Sequence, residues 1–170
     1  MPGCGKSTIG RQLARMRQFP FVDSDHEIER YLGCSIREYF EREGEPAFRD
    51  IEARVLRELV EAGIPRVIAT GGGAVLRPAN REVMRGGATV VYLKALPDDL
   101  ARRLSRDTSR PLLQVADPRQ RLRELFAERD PLYRETAHVT IDTARRSAAT
   151  IVHLVAMQLE LVPAPASRQD

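Results

Sequence analysis

Short apolar runs alternate along this chain with longer stretches whose apolar residues recur every three to four positions, the pattern of strands and helices succeeding one another in an α/β domain. Residues 8–17 read as a helix opened by glycines, and Phe19-Pro20-Phe21-Val22 as a short buried strand ending at Asp23. Ser24 with Glu27, and Ser35 with Glu38, are capping-box pairs that predict two short helices, the second stopping near Gly44. Pro46 suits the first turn of a further helix reaching toward Gly63, in which Phe48, Ile51, Val55, Leu56 and Leu59 keep helical spacing. A strand over 66–70 feeds Gly71-Gly72-Gly73. Beyond it the pattern predicts a helix over 78–85, a strand over 88–93 and a helix over 97–106. A polar, proline-interrupted loop then covers 107–116, followed by a helix from Asp117-Pro118 toward Arg129. A last strand over 138–142 and a helix capped by Ser147 complete the domain, with a frayed tail expected over 163–170.

With 170 residues, 42% of them hydrophobic, the chain can bury one domain-sized core, and no repeat or linker divides it. Its 27 basic and 24 acidic side chains leave a net charge of +3, interspersed in sign. That balance argues weakly for nucleic acid and equally well for small anionic ligands. No apolar run approaches the roughly 18 residues of a membrane helix, and no signal peptide precedes the first motif. Cys4 and Cys34 do not make a disulfide framework, so a reducing cytoplasm is the expected location.

The first candidate chemistry lies in Gly3-Cys4-Gly5-Lys6-Ser7-Thr8. Glycines at a helix start let backbone N–H groups surround phosphate oxygens, a following Lys reaches the β- and γ-phosphates, and a Ser hydroxyl ligates Mg²⁺. The full pattern asks for another glycine five positions before Gly5, one residue upstream of Met1, and for a strand leading into the loop. Met1 is therefore expected to be an internal methionine of a longer protein.

Asp23 and Asp25 follow the first strand, where ligands of open α/β sheets bind. One carboxylate there can hold Mg²⁺ through water and the other can accept a proton from a hydroxyl being phosphorylated. Taken alone, helix capping by Ser24 and Asp25 explains them as well. Arg49, Arg110 and Arg134 are each ordinary surface charges singly, but together fit an enzyme that neutralises a triphosphate and grips a carboxylate. Three consecutive glycines at 71–73 are more than a turn needs and suit bare backbone brought close to a ligand. His26, His138 and His153 have no metal-ligand spacing and read as structural, and Cys4 as a small side chain whose pKa the helix start would lower.

GCGKST, FVDSD, EPAFRDIEARVL, ATGGGAVL, SRPLLQ and RDPLYRE occur in one order and at compatible spacings. Together they resemble the shikimate kinases from Gly3 to about Leu161. The resemblance implies a three-layer P-loop kinase fold, a five-stranded parallel sheet flanked by helices whose first, central strand is missing from this chain. It implies a single domain over 1–162, with a substrate flap over 31–63 and a lid over 107–116. The implied reaction is transfer of the γ-phosphate of ATP to the 3-hydroxyl of shikimate, in aromatic amino-acid biosynthesis. By the same resemblance, Gly3, Cys4, Gly5, Lys6, Ser7 and Thr8 wrap the ATP phosphates, with Lys6 on the transferred charge, and Ser7 and (through water) Asp23 on Mg²⁺. Asp25 is the implied base, Arg49 and Arg134 the clamp on the shikimate carboxylate, and Gly72 a backbone contact to a ring hydroxyl. Arg110 is the implied lid arginine and Arg103 an adenine contact, with a further one between 143 and 151. Partners are expected to be ATP and shikimate only, with no nucleic acid or membrane, in a monomer. A kinase of another small polyol such as gluconate, a non-catalytic nucleotide-fold module and a truncated kinase of impaired activity are the alternatives.

Overall fold

The computed structural model describes residues 1–104, 115 and 117–162. Arg110, the expected lid apart from Val115, and the tail from Pro163 lie outside the described residues.

Helix α1 (Lys6–Arg17) begins at Gly5, whose φ of 90° is a left-handed conformation that glycine alone adopts cheaply. It ends at Gln18, also left-handed, whose N–H bonds back to the carbonyls of Ala14 and Arg15. The chain then needs Phe19 and Pro20 to leave the helix, so β1 (Phe21–Asp23) is shorter than the apolar run suggested.

Helix α2 (Ser24–Leu32) is capped by Asp23, whose carboxylate accepts the Asp25 N–H, and not by Ser24 as the capping-box pattern implied. Ser35 does cap α3 (Ile36–Glu61), accepting the Glu38 N–H. The two helices expected across this stretch are one element broken at Gly44 (φ 82°), with Pro46 just beyond the break. After β2 (Val67–Ala69) the glycines lead into a single 3₁₀ turn, Ala74–Leu76, and then α4 (Pro78–Gly87).

Strand β3 (Val91–Lys94) precedes α5 (Pro97–Leu104). Helix α6 (Pro118–Thr136) continues through Pro131, two turns past the end the sequence suggested. Proline removes one helical hydrogen bond there, but the buried residues Leu122, Leu125, Arg129, Tyr133 and Thr136 keep one continuous inward face. Strand β4 (Val139–Asp142) and helix α7 (Ala148–Leu161) follow, α7 capped by Ser147 as expected.

β1 pairs with β2 in parallel, Phe21 opposite Val67 and Asp23 opposite Ala69. β3 pairs in parallel with β4, Val91 opposite Val139 and Lys94 opposite Asp142. The described strands thus form two separate parallel pairs, where one five-stranded sheet was expected. A two-stranded ribbon is marginal by itself. Here α1 packs on β1, β2 and α7, while α7 packs on β4, joining the pairs through one core that includes Leu13, Leu93, Leu125, Ile151 and Val155. A smaller cluster of Ile28, Phe48 and Val55 fixes α2 against α3. The register sets Asp23 beside the residue that immediately precedes Thr70 and the glycines, so both strands deliver their polar continuations to the same carboxyl end.

Candidate active site

The phosphate-loop candidate is built around Gly3 (φ 73°) and Gly5 (φ 90°), both in conformations that other residues resist. The first turn of α1 carries no acidic side chain, so its positive end is left uncompensated. Lys6 Nζ donates to the Met1 carbonyl at 3.1 Å and lies 3.9 Å from Cys4 Sγ. Burial pushes the Cys4 thiol up, but the charges of Lys6 and the Met1 amino group outweigh it and hold the pKa below its ordinary value. Cys4 itself is buried.

Ser7 Oγ donates to Asp23 Oδ2 at 2.8 Å, joining the start of α1 to the end of β1. Two hard oxygen donors held together beside the phosphate loop suit Mg²⁺, which keeps most of its ligands as water and phosphate. Among the described residues no cluster of three His, Cys, Asp or Glu could hold a metal by itself. Asp25, in the first turn of α2, has its carboxyl pushed above the ordinary range, first by burial and then by the charge of Asp23, with Lys6 opposing. A proton acceptor of raised basicity therefore sits within electrostatic reach of the P-loop lysine.

The triple glycine is explained by what surrounds it. A Cβ at Gly71 would lie 2.7 Å from Asp25 Oδ1 and 3.3 Å from Glu52 Oε1; one at Gly72 would lie 3.4 Å from Tyr133 Oη and 3.8 Å from Arg129 Nη1. One at Gly73 would collide with the Arg49 guanidinium. Groups from α2, α3 and α6 thus converge on three residues that carry no side chain. The Gly71 N–H donates to Ser24 Oγ at 3.1 Å, and the Gly72 carbonyl accepts from Tyr133 Oη at 2.6 Å. The Gly71 and Gly73 carbonyls accept from Ala74 and Leu76 N–H. What remains unpaired among the described residues is the pair of amides of Gly72 and Gly73.

Arg49 lies against Phe48 and donates to Glu52 at 2.7 Å and to Glu45 at 2.9 Å. Glu52 is buried, and desolvation raises its pKa despite the Arg49 partner. Arg129 is 7% exposed, and its Nε has no hydrogen-bond partner. Its remaining ion pair, to Glu128, is long at 3.9 Å. A buried guanidinium with an unpaired Nε marks a place for an anion.

Of the residues singled out in the sequence, the structure brings together Lys6, Ser7, Asp23, Asp25, Arg49 and Gly72. Arg103 donates to the Thr143 carbonyl at 3.0 Å, which places it against the segment where a second adenine contact was expected. Arg110 lies outside the described residues. Arg134 is exposed and paired with Asp130 at 2.7 Å, because α6 runs on through Pro131 and turns position 134 outward. The same continuation turns Arg129 and Tyr133 inward, one helical turn apart. Arg129 and Glu52 were legible in principle, by their spacing of four from Tyr133 and three from Arg49; the hydrogen bond of Ser24 to Gly71 was not, being a contact across 47 positions.

The family model for shikimate kinase matches residues 2–160. The chain is 56% identical over 163 residues to a shikimate kinase of Paracidovorax citrulli, covering 95% of this chain and 89% of that one. It is 52% identical over 160 residues to that of Cupriavidus pinatubonensis, covering 94% and 82%. Among solved structures, shikimate kinase from Acinetobacter baumannii in complex with shikimate superimposes with a TM-score of 0.86 at 47% identity, covering 94% of this chain and 88% of that one. Shikimate kinase from Bacteroides thetaiotaomicron gives a TM-score of 0.85 at 32% identity, covering 94% of each chain. A phosphate loop, an acidic pair and a glycine cradle facing Arg49 and the buried Arg129, with relatives this similar over nearly the whole length, establish that the chain belongs to the shikimate kinase family.

Proposed function

We propose that this chain transfers the γ-phosphoryl group of ATP to the 3-hydroxyl of shikimate, giving ADP and shikimate 3-phosphate for aromatic amino-acid synthesis. The observation that carries the reading is the glycine cradle: unpaired Gly72 and Gly73 amides, with Asp25 on one side and the guanidinium groups of Arg49 and Arg129 on the other. A ring bearing both a carboxylate and hydroxyls matches that arrangement. Arg49 and Arg129, in place of the Arg49–Arg134 pair expected from sequence, would grip the carboxylate, since guanidinium forks match its geometry. Asp25 would accept the proton of the attacking hydroxyl as its oxygen bonds to the γ-phosphorus and the bond from that phosphorus to the bridging oxygen of ADP breaks. Its raised pKa makes it a better base than an ordinary carboxylate.

Lys6, with Gly3, Cys4, Gly5 and Thr8 around the phosphates, would neutralise charge that moves toward the leaving oxygen. Ser7 and, through water, Asp23 would hold Mg²⁺, which would supply charge neutralisation to the ATP phosphates. Arg103 at Thr143 supports an adenine site between α5 and the segment after β4. Arg110, by its SRPLL motif, would close over the phosphates and exclude water. Both cysteines are free, which suits a cytoplasmic enzyme, and the proposed state is a monomer. No helix among the described residues is long and apolar enough to cross a membrane. For the fold we propose a three-layer P-loop kinase arrangement in which the two parallel pairs belong to one five-stranded sheet whose first, central strand is missing from this chain; the parallel pairing and the high TM-scores support it.

The test is ADP release by purified protein with ATP and Mg²⁺, with and without shikimate. Shikimate-dependent release is expected. Release with gluconate alone would move the reading to another polyol kinase, and no acceptor-dependent release from folded protein would refute it.

A further inference from the structure

We propose that Tyr133, together with Ser24, is a positioning residue for the acceptor substrate: the two hydroxyls clamp the peptide planes around Gly71 and Gly72 so that the neighbouring amides face the ligand. This rests on the reading above that the triple glycine faces shikimate. Three consecutive glycines have the least conformational preference of any tripeptide, so without side chains to orient them their amide directions must be set from outside. The hydrogen-bond partners do this. Ser24 Oγ, buried at the start of α2, accepts the Gly71 N–H, and Tyr133 Oη, on α6, donates to the Gly72 carbonyl at 2.6 Å.

Fixing the carbonyl of Gly72 fixes the plane of the Gly72–Gly73 peptide, and so the direction of the Gly73 N–H. Fixing the N–H of Gly71 anchors the other end. The remaining loop carbonyls are tied to Ala74 and Leu76, which leaves the Gly72 and Gly73 amides as the unpaired donors. Tyr133 suits the task because it is itself braced. Its ring stacks on Tyr92 with centroids 4.9 Å apart, and the Tyr92 hydroxyl is occupied by Asp130 at 2.9 Å. Burial raises the Tyr133 pKa to about 12, so it remains a hydrogen-bond donor throughout the working pH range. Arg129 stands one turn earlier on the same helix face, so one rigid element sets both a guanidinium and the loop it faces.

The Tyr133 hydroxyl also accepts from the Met1 amino group at 3.2 Å, which lies next to Lys6. The test must therefore separate the acceptor side from the nucleotide side. Wild type, Tyr133→Phe, Ser24→Ala and Tyr92→Phe are compared by KM for shikimate and for ATP, by calorimetric shikimate affinity without nucleotide, and by thermal midpoint. In Tyr133→Phe and in Ser24→Ala, shikimate KM and Kd are expected to rise about tenfold, as for loss of one hydrogen bond that orients a binding group. ATP KM should stay within about twofold, and Tyr92→Phe, which removes a buried hydroxyl that does not touch the loop, should match wild type.

Folded Tyr133→Phe with unchanged shikimate KM, or with ATP KM raised as much as shikimate KM, overturns the proposal. Should Tyr133→Phe fail to fold, Ser24→Ala decides by the same criteria. Failure of wild type to bind shikimate at all would instead refute the underlying functional reading, so the two failures are distinct.

Discussion

Replacing Gly73 by alanine adds one methyl group in front of the Arg49 guanidinium. The backbone accepts it: Gly73 has φ −90° and ψ −7°, which any residue adopts. The added Cβ would lie 2.6 Å from Arg49 Nη2 and 2.7 Å from Cζ, against an ordinary contact of 3.4 Å or more. The obstructed atoms are the far end of a flexible side chain, so the guanidinium yields and the loop stays. It has to withdraw by about 1 Å, away from the place where a carboxylate would be gripped, and misplacement on that scale costs about 100-fold in catalysis. That corresponds to about 2.7 kcal/mol of transition-state binding.

Folding should be little affected, because a Gly→Ala change at a compatible φ stabilises by about 0.4–1 kcal/mol through the unfolded chain and offsets some loosening of the Arg49–Glu52 pair. The assay is ADP release as a function of shikimate and, separately, of ATP, with thermal midpoints alongside. Shikimate kcat/KM is expected to fall about 100-fold at a thermal midpoint within a few degrees of wild type, with ATP KM unchanged. Gly86→Ala, where a Cβ would meet nothing within 4 Å, is the control. Unchanged shikimate kinetics in a folded Gly73→Ala protein would refute the argument that Arg49 is held against this loop in the working enzyme.

Arg129→Ala should raise shikimate KM at least 100-fold, whereas Arg134→Ala, removing only a solvent-exposed pair with Asp130, should leave it within twofold; equal effects would refute the exchange of roles. Lys6→Met should lower kcat by two or more orders of magnitude with shikimate affinity retained, measured by turnover and calorimetry. Asp25 gives a pH prediction whose sign follows from its raised pKa. The folded chain holds this proton more tightly than the unfolded one, so stability is lost as pH rises from the ordinary carboxylate range through the raised value. Asp25→Asn should therefore abolish activity yet raise the thermal midpoint at pH 7, a gain that disappears on acidification. The acid limb of wild-type kcat should lie above the ordinary carboxylate range; an Asp25→Asn protein that is less stable at pH 7 would contradict the assignment.

Local patterning made most elements readable. Gly5 before a helix, Ser35 and Ser147 as caps, and the break at Gly44 all act through their own backbone neighbours, so their consequences lie within a few residues. Ser24 misled because its local capping alternative lost to a distant partner: Asp23 takes the cap, freeing the Ser24 hydroxyl for Gly71. The helix end at Arg129 misled for a related reason. Pro131 is a strong local stop signal, but the buried stripe from Leu122 to Thr136 outweighs the single hydrogen bond it removes. In a helix that continues, Arg129 faces inward and Arg134 outward, which a boundary at Arg129 could not show.

Sequence by itself determined the phosphate loop, the acidic pair, the glycines and their order, because phosphate binding and turn geometry impose residue types at fixed short spacings. Tertiary structure alone decided which arginine faces the glycines, that Ser24 and Tyr133 clamp them from opposite sides, and that Glu52 is buried against Arg49. Those outcomes depend on which helix face the core claims, and on hydrogen bonds between residues 47 and 61 positions apart, where the chain carries no local record of its partner.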